Sequence, residues 1–269
     1  MNKTIKVIFF GDLVGKPGRF AVRDFLSENK YDFVIANVEN ASHGFGLTEK
    51  NYKELIEYGV NCMTSGNHIW DKREIFNYID TADKLLRPIN YPTETKGVGS
   101  RIFEINGIKI AVVNILGKVF INAVDFQWEL IKEEIKKLKE ITPIIIIDFH
   151  AEATAEKICF GKYCSELGVS AFFGTHTHVQ TADESIINNM GYITDAGFCG
   201  ATDGVIGMGY QTSLARFLTG IPERYEVANG KSVQTNAVEV EIDTTSGNTV
   251  AIKRIFCIAD KDKEENDED

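Results

Sequence analysis

The stretch Pro143-Ile144-Ile145-Ile146-Ile147-Asp148-Phe149-His150 decides the fold class, because it reads as a strand with apolar side chains on both faces. A strand of this kind needs a covering layer on each side, as in a parallel sheet packed between helices. The run ends in a histidine, so polar chemistry begins where the strand stops. Together these properties predict a layered α/β protein with functional side chains at the carboxyl end of a central strand.

The same unit of strand, loop and helix recurs on the N-terminal side of this segment. Residues 5–10 form an apolar run followed by a loop and an amphipathic stretch, and residues 33–36 and 60–64 begin two similar units. Asn106-Gly107 between two apolar segments indicates a β-hairpin, so an antiparallel pair joins the sheet. The pattern predicts a layered α/β sandwich with a mixed central sheet, or two sheets, between helices.

Local signals set the limits of several elements. Thr48 is placed to cap a helix at its N-terminus, and Gly59 is placed to end that helix. Asp71 and Glu74 have the spacing of a capping box before the next apolar run. The segment 197–209 contains five glycines and predicts an irregular loop.

Composition and charge restrict the classes of protein to which the chain can belong. Of the 269 residues, 43% are hydrophobic and 25% are charged, which is typical of a soluble globular protein with an apolar core. A net charge of −10 disfavours tight binding to duplex nucleic acid, because phosphate backbones attract basic surfaces. The first apolar run is too short for a signal peptide or a membrane span, and the five scattered cysteines indicate reduced thiols. We therefore expect a cytoplasmic protein without membrane association.

One domain is expected over residues 1–259, because neither an internal repeat nor a linker interrupts the series of elements. Residues 260–269 carry seven acidic residues and two lysines, a composition that predicts a disordered, solvated tail. Much of the net negative charge lies in this tail, so the body of the chain is only mildly acidic.

Polar residues of the types that bind metals follow five of the predicted strands. In an open α/β sheet such residues meet at one edge, because loops converge beyond the carboxyl ends of the strands. Four of the five histidines lie in these loops. A single histidine in a loop is usually structural. Residues of metal-binding types after five strands at one edge of the sheet, however, favour a functional site. The candidate site residues are Asp12, Glu39, Asn40, Asn67, His68, His150, His176 and His178.

The chemistry of these side chains points to a metal centre. Carboxylates, amides and imidazoles without thiolates suit iron, manganese or zinc in a five- or six-coordinate site. Six or more ligands exceed what one ion needs and predict a two-metal centre. Two neighbouring ions can hold a phosphoryl group and activate a water molecule between them.

The same positions resemble a known family. Its five motif blocks correspond, in the same order, to Gly11-Asp12, Glu39-Asn40, Gly66-Asn67-His68, His150 and Gly174-Thr175-His176-Thr177-His178. This pattern resembles the calcineurin-like metallophosphoesterases over nearly the whole chain, and the third and fifth blocks together make the resemblance specific. It implies the layered α/β sandwich of that family. Two blocks depart from the broad pattern, since the first lacks its histidine and the second has Glu-Asn in place of aspartates.

These departures are shared with one bacterial branch. The segments 11–19, 37–41 and 194–197 closely resemble the YmdB-like branch of the family. That branch is implicated in the hydrolysis of cyclic nucleotide phosphodiesters with iron or manganese. The resemblance therefore implies a binuclear phosphodiesterase for small 2′,3′- or 3′,5′-cyclic nucleotides, with attack by a metal-bound hydroxide and a histidine as general acid.

The resemblance also implies a role for each candidate residue. The first ion would be held by Asp12, Glu39, Asn40 and His178, and the second by Glu39, Asn67, His150 and His176. Glu39 would then bridge the two ions. His68 has the position of the general acid of the family, and its alternative role is to orient a metal ligand.

Two other functions stay open. One is a regulatory protein that keeps the metal centre and acts through a partner in an RNA or signalling complex. The other is a phosphomonoesterase of the same fold. The presence of His68 favours an enzyme, because a protein that only binds has no need of an acid. A homo-oligomer is also compatible with the sequence.

Overall fold

The computed structural model describes residues 4–121 and 128–260 of the chain. The strands are β1 (Thr4–Phe10), β2 (Asp12–Leu13), β3 (Phe33–Asn37), β4 (Cys62–Thr64), β5 (Ser100–Ile105), β6 (Ile108–Leu116), β7 (Ile145–His150), β8 (Ala171–Thr175), β9 (Ser185–Ile187), β10 (Met190–Ile193), β11 (Phe198–Ala201), β12 (Ser232–Asp243) and β13 (Thr249–Asp260). The helices are α1 (Gly15–Glu28), α2 (Glu49–Glu57), α3 (Ile75–Tyr78), α4 (Trp128–Lys139), α5 (Thr154–Glu166) and α6 (Tyr210–Thr219).

Two mixed sheets form the centre of the molecule. The first has the strand order β2-β11-β12-β1-β3-β4, and β13 pairs with β12. The second has the order β5-β6-β7-β8-β10-β9, in which β6, β7, β8 and β10 run parallel to one another. The predicted α/β sandwich is confirmed, and it contains two sheets.

The two sheets pack face to face through apolar side chains. On β1, Val7 and Phe9 belong to the core between the sheets, whereas Ile8 and Phe10 pack with α1 and α2. Phe9 stacks on Phe173 of β8, with 4.6 Å between the ring centroids. The second sheet is covered on its outer face by α4 and α5. The order of layers is therefore helix, sheet, sheet, helix, which explains why every residue of β7 is buried.

The predicted hairpin and helix limits are confirmed. β5 and β6 pair antiparallel around Asn106 and Gly107, whose φ angles are 52° and 79°. The Thr48 side chain accepts a hydrogen bond from the backbone N–H of Asn51 at the start of α2. Gly59 follows the end of α2 in a left-handed conformation, with φ of 100°.

Two local predictions are wrong. Asp71 and Glu74 do not form a capping box, because α3 starts without a side-chain cap. The Asp71 carboxylate lies 2.9 Å from His68 Nδ1, and Glu74 accepts from the backbone N–H of Glu49 at 2.7 Å. In the glycine-rich segment, residues 198–201 form β11 rather than a loop, because they pair with β2 and β12.

The end of the described chain lies within the sheet. Asp260 is the last residue of β13, and residues 261–269 of the predicted tail lie outside the described residues. None of the helices in residues 4–121 and 128–260 has the length and apolar character needed to cross a membrane.

Candidate metal centre

The structure brings all eight candidate residues to one place between the two sheets. The first sheet contributes Asp12 on β2, Glu39 and Asn40 after β3, and Asn67 and His68 after β4. The second sheet contributes His150 at the end of β7, and His176 and His178 after β8. The site therefore depends on the contact between the sheets, because neither sheet alone carries the full set.

Two groups of side chains could each hold a metal ion. One contains Asp12, Glu39 and His178, and the other contains Glu39, His150 and His176. Within each group the ligand atoms lie within 4.8 Å of one another. Glu39 belongs to both groups and is only 1% exposed, which is the position expected of a bridging carboxylate.

Unpaired oxygens at this site fit a metal ion. In the part of the chain that the structure describes, Asp12 Oδ1, Asn40 Oδ1 and Asn67 Oδ1 are buried and have no hydrogen-bond partner. Leaving a polar oxygen buried and unpaired costs about 1–3 kcal/mol. Cations would pair with these oxygens, and carboxylate, amide and imidazole ligands suit a first-row transition metal. The residues present therefore fit a metal centre.

Polar contacts on the outer side of the metal centre orient the imidazoles of His176 and His178. His178 Nδ1 donates to the carbonyl of Ile206 at 2.8 Å, and His176 Nε2 lies 3.1 Å from a carboxylate oxygen of Glu152. Carbonyls and carboxylates only accept, so these contacts place the proton of each ring on its outer nitrogen. The inner nitrogen keeps its lone pair and can bind a cation.

His150 is oriented through a hydroxyl relay. Thr175 Oγ1 donates to Asp148 Oδ1 at 2.7 Å, and the same oxygen lies 2.9 Å from His150 Nδ1. A hydroxyl has one proton to donate, so Thr175 accepts from a protonated Nδ1, while Nε2 lies 3.1 Å from Glu39 Oε1. Asn37 donates to the other oxygen of Asp148 at 2.9 Å, which connects β3 to β7 beneath the centre.

Replacing Thr175 with valine is expected to weaken metal binding. Valine keeps the branched shape but removes the hydroxyl that orients His150, and loss of such a partner costs about 10–100-fold in metal affinity. Calorimetric titration of the metal-free protein with Mn²⁺ measures the change. Thr175→Ser keeps the hydroxyl and serves as the control. Equal affinities of the two variants would contradict the relay.

Neighbouring charges shift the pKa values of the ligands. Burial alone would raise the pKa of Glu39, but the adjacent His150 imidazole holds it well below its usual value. Burial alone would lower the pKa of His150, but the Glu39 carboxylate raises it to about 9. Burial and the charge of His150 lower the pKa of His176 to about 3. Burial raises the pKa of Asp12, and it raises that of Asp148 to about 6. Glu39 and His150 thus compensate each other's charge in the metal-free protein.

The loop with two histidines adopts a strained backbone. His176 and His178 have φ angles of 99° and 61°, which residues other than glycine rarely adopt. Such strain costs on the order of 1–3 kcal/mol per residue and persists only where the surroundings impose it. A buried ion pair supplies that restraint, because Lys157 Nζ donates to Asp195 at 2.6 Å and Asp195 accepts from both the backbone and the hydroxyl of Thr177.

Gly66 is required by the ligands that surround it. A Cβ atom at this position would overlap with Glu39 Oε2 and with the imidazole of His150. The glycine of the Gly66-Asn67-His68 motif therefore leaves the space that the two ligands occupy.

His68 lies beside the centre but belongs to neither group of ligands. Its backbone N–H donates to Glu39 Oε2 at 3.2 Å, and its side chain is 31% exposed. Nδ1 lies 2.9 Å from Asp71 Oδ2, and the ring packs edge-on against Phe45. A half-exposed imidazole held by a carboxylate is suited to exchange a proton with a bound substrate.

The sequence did not single out the residues that support the ligands. Thr175, Glu152 and Lys157 act through contacts with residues that are distant in the sequence. Asp148 was recognisable, since it is the one charged residue of an otherwise apolar strand before His150.

Comparison with known proteins shows which family has a sequence similar to this chain. A family model described as YmdB-like protein matches residues 8–255. The 2′,3′-cyclic-nucleotide 2′-phosphodiesterase of Bacillus subtilis (strain 168) is 44% identical over 257 residues, which cover 94% of this chain and 97% of that protein.

Two crystal structures share both the fold and much of the sequence. A hypothetical protein from Thermus thermophilus has a TM-score of 0.88 at 35% identity, covering 94% of this chain and 99% of that chain. A novel phosphatase from Mycoplasma pneumoniae has a TM-score of 0.86 at 37% identity, covering 97% and 95% respectively. The calcineurin-like fold expected from the sequence is thereby confirmed. Since the family model spans most of the chain and these relatives align over nearly their full length, the chain belongs to the YmdB-like protein family.

Proposed function

We propose that this protein is a metal-dependent phosphodiesterase that hydrolyses small cyclic nucleotides, with 2′,3′-cyclic nucleotides preferred over 3′,5′-cyclic ones. The observation that carries the proposal is the pair of ligand groups that share Glu39, with His68 beside them. The B. subtilis relative is named as a 2′,3′-cyclic-nucleotide 2′-phosphodiesterase, which supports the same substrate class. The scattered cysteines of the sequence support a cytoplasmic location.

The donor set suits two ions, with iron or manganese as the first candidates and zinc as the third. The first ion would be held by Asp12, Glu39, Asn40 and His178, and the second by Glu39, Asn67, His150 and His176. When bound, such ions supply Lewis acidity at the phosphoryl group and lower the pKa of water.

The remaining chemical task is to protonate the leaving group. Hydrolysis of a cyclic diester breaks one bond between phosphorus and a ribose oxygen, which leaves poorly unless it receives a proton. In this proposal His68 donates that proton from Nε2, and the contact of Nδ1 with Asp71 at 2.9 Å supports this role. Acid catalysis by a positioned side chain contributes about 10²–10⁴-fold.

A substrate panel tests this proposal against the two alternatives. Metal-replete protein should convert 2′,3′-cyclic AMP to a monophosphate faster than 3′,5′-cyclic AMP, and should release no inorganic phosphate from AMP. Release of phosphate from AMP would instead indicate a phosphomonoesterase. No turnover of cyclic mononucleotides, nitrophenyl diesters or RNA would favour the regulatory protein.

Chelation is expected to remove the two ions in steps. The group with Asp12 contains one imidazole, whereas the group with His150 contains two, so the first ion has harder ligands and is held more weakly. Metal analysis after incubation with increasing EDTA should show an intermediate with one ion per chain. If both ions leave together, or if only one ion ever binds, the assignment of two sites is wrong.

A further inference from the structure

The loop that carries Asn67 and His68 starts at a buried serine. Strand β4 ends at Thr64, and the next residue, Ser65, is fully buried. A buried backbone N–H and C=O need hydrogen-bond partners, and beyond the end of a strand the sheet no longer supplies them. The group that pairs with Ser65 therefore fixes the direction in which the loop leaves the first sheet.

The side chain of Asn114 supplies a partner for both backbone groups. Asn114 Oδ1 accepts from the backbone N–H of Ser65 at 3.0 Å, and Asn114 Nδ2 donates to the carbonyl of Ser65 at 3.0 Å. The amide thus pairs with Ser65 as a neighbouring strand would. These contacts also fix the orientation of the amide, because an exchange of its oxygen and nitrogen would lose both of them.

Asn114 is anchored on β6, in the second sheet. Ile110 and Val112 belong to the core between the sheets, so the alternation of side chains along β6 directs Asn114 into the same layer. The backbone N–H of Asn114 donates to the carbonyl of Gly99 at 2.9 Å, and its carbonyl accepts from the backbone N–H of Ile89 at 2.8 Å. The side chain is fully buried. Asn114 thus connects a fixed point of the second sheet to a loop of the first.

The loop that starts at Ser65 contributes to the metal centre at two points. Asn67 Oδ1 is buried and has no hydrogen-bond partner within the described chain, and the backbone N–H of His68 donates to Glu39 Oε2 at 3.2 Å. Gly66 lies so close to Glu39 and His150 that a Cβ atom would overlap with both. A loop released from Ser65 could therefore move only away from these ligands, and it would take Asn67 with it.

We propose that Asn114 is a positioning residue of the metal centre, which holds Ser65 from the opposite sheet and thereby places Asn67 to bind the second ion. This inference rests on the proposed function, because it takes Asn67 as a ligand. Asn37 supports the same geometry, since it donates to the carbonyl of Ser65 at 3.2 Å and accepts from the backbone N–H of Glu39 at 3.1 Å.

The inference makes the two ions unequal in their dependence on Asn114. The proposed ligands Asp12, Asn40 and His178 of the first ion lie outside the loop that starts at Ser65. Loss of the Asn114 amide should therefore weaken the binding of one ion and spare the other.

Asn114→Leu tests the inference, because leucine has a similar volume and lacks both hydrogen-bonding groups. Calorimetric titration of the metal-free variant with Mn²⁺ should show one binding step that is about 10–100-fold weaker than in the unaltered protein, as for other residues that orient a ligand from outside. The other step should keep its affinity. If leucine prevents folding, Asn114→Ala removes the amide without adding apolar bulk and gives the same test.

Thr142→Val is the matched control at the other end of the same sheet. Thr142 is 2% exposed, and its hydroxyl donates to the carbonyl of Lys109 at 2.6 Å and accepts from the backbone N–H of Ile144 at 3.1 Å. These partners lie near the starts of β6 and β7, whereas Asn114 and the metal centre lie near their ends. Urea unfolding should show that both variants destabilise the metal-free protein, but only Asn114→Leu should bind Mn²⁺ more weakly.

The outcomes separate this inference from the proposed function. If the unaltered protein binds no divalent ion, the proposed function is wrong and this inference falls with it. If the unaltered protein binds two ions and Asn114→Leu binds both with the same affinities, only the role of Asn114 is wrong. An equal loss of Mn²⁺ affinity in Thr142→Val would also contradict that role, because it would show a general effect of stability.

Discussion

Replacing Glu39 with glutamine is expected to empty both metal sites and to lower kcat on every phosphodiester by about a thousandfold or more. Glu39 is the one side chain common to both ligand groups, and a neutral amide cannot compensate the charge of two cations as a bridging carboxylate does. Glutamine has nearly the same shape, so the loss reports on charge rather than on packing. Metal analysis of the purified variant, together with turnover of 2′,3′-cyclic AMP, measures both effects.

Variants that remove a ligand from only one of the two groups provide the comparison for Glu39→Gln. His178→Ala and His176→Ala each remove a ligand from one group only, so each should retain the ion of the other group. If Glu39→Gln keeps one ion per chain, as these variants should, Glu39 is not a bridge.

Replacing His68 with alanine is expected to retain both metal ions yet to slow hydrolysis of cyclic nucleotides by about 10²–10⁴-fold. His68 lies in neither ligand group, so its removal takes away a proton donor and not a ligand. A nitrophenyl diester, whose leaving group needs little protonation, should react at nearly the wild-type rate. Rates on both substrates and metal content of the same preparation give the result.

His150→Ala is the matched comparison for this variant. His150 belongs to a ligand group and is fully buried, so its loss should remove metal and slow every substrate alike. Should His68→Ala also lose metal, or slow good and poor leaving groups equally, His68 would be a ligand or a positioning residue and not the acid.

The central part of the fold could be predicted because its signals are local. The uniform apolar run of β7 and the Asn106-Gly107 turn specify their structure within a few residues. β11 could not be predicted, because its four residues become a strand only by pairing with β2 and with β12, more than thirty residues away. Asp71 was assigned to a helix cap from its spacing to Glu74, whereas in the structure it pairs with His68, three residues before it.

The candidate site also has one part that could be predicted from the sequence and one part that could not. Its proposed ligands each follow a strand, so topology alone brings them to one edge, although metal binding by these residues stays a prediction. The residues that support them depend on distant pairings, such as Lys157 with Asp195, 38 positions along the chain. No local sequence pattern distinguishes a buried lysine from a solvent-exposed one.

The division of ligands between two sheets has a thermodynamic consequence. An ion held by Asp12 from one sheet and His178 from the other would act as a reversible cross-link between the two halves of the sandwich. Since the unfolded chain lacks this arrangement, each tenfold rise in free metal above the dissociation constant adds about 1.4 kcal/mol to the free energy of unfolding. The melting temperature would therefore rise with the concentration of free metal, and scarcity of the ion would lower the stability of the fold as well as stop turnover.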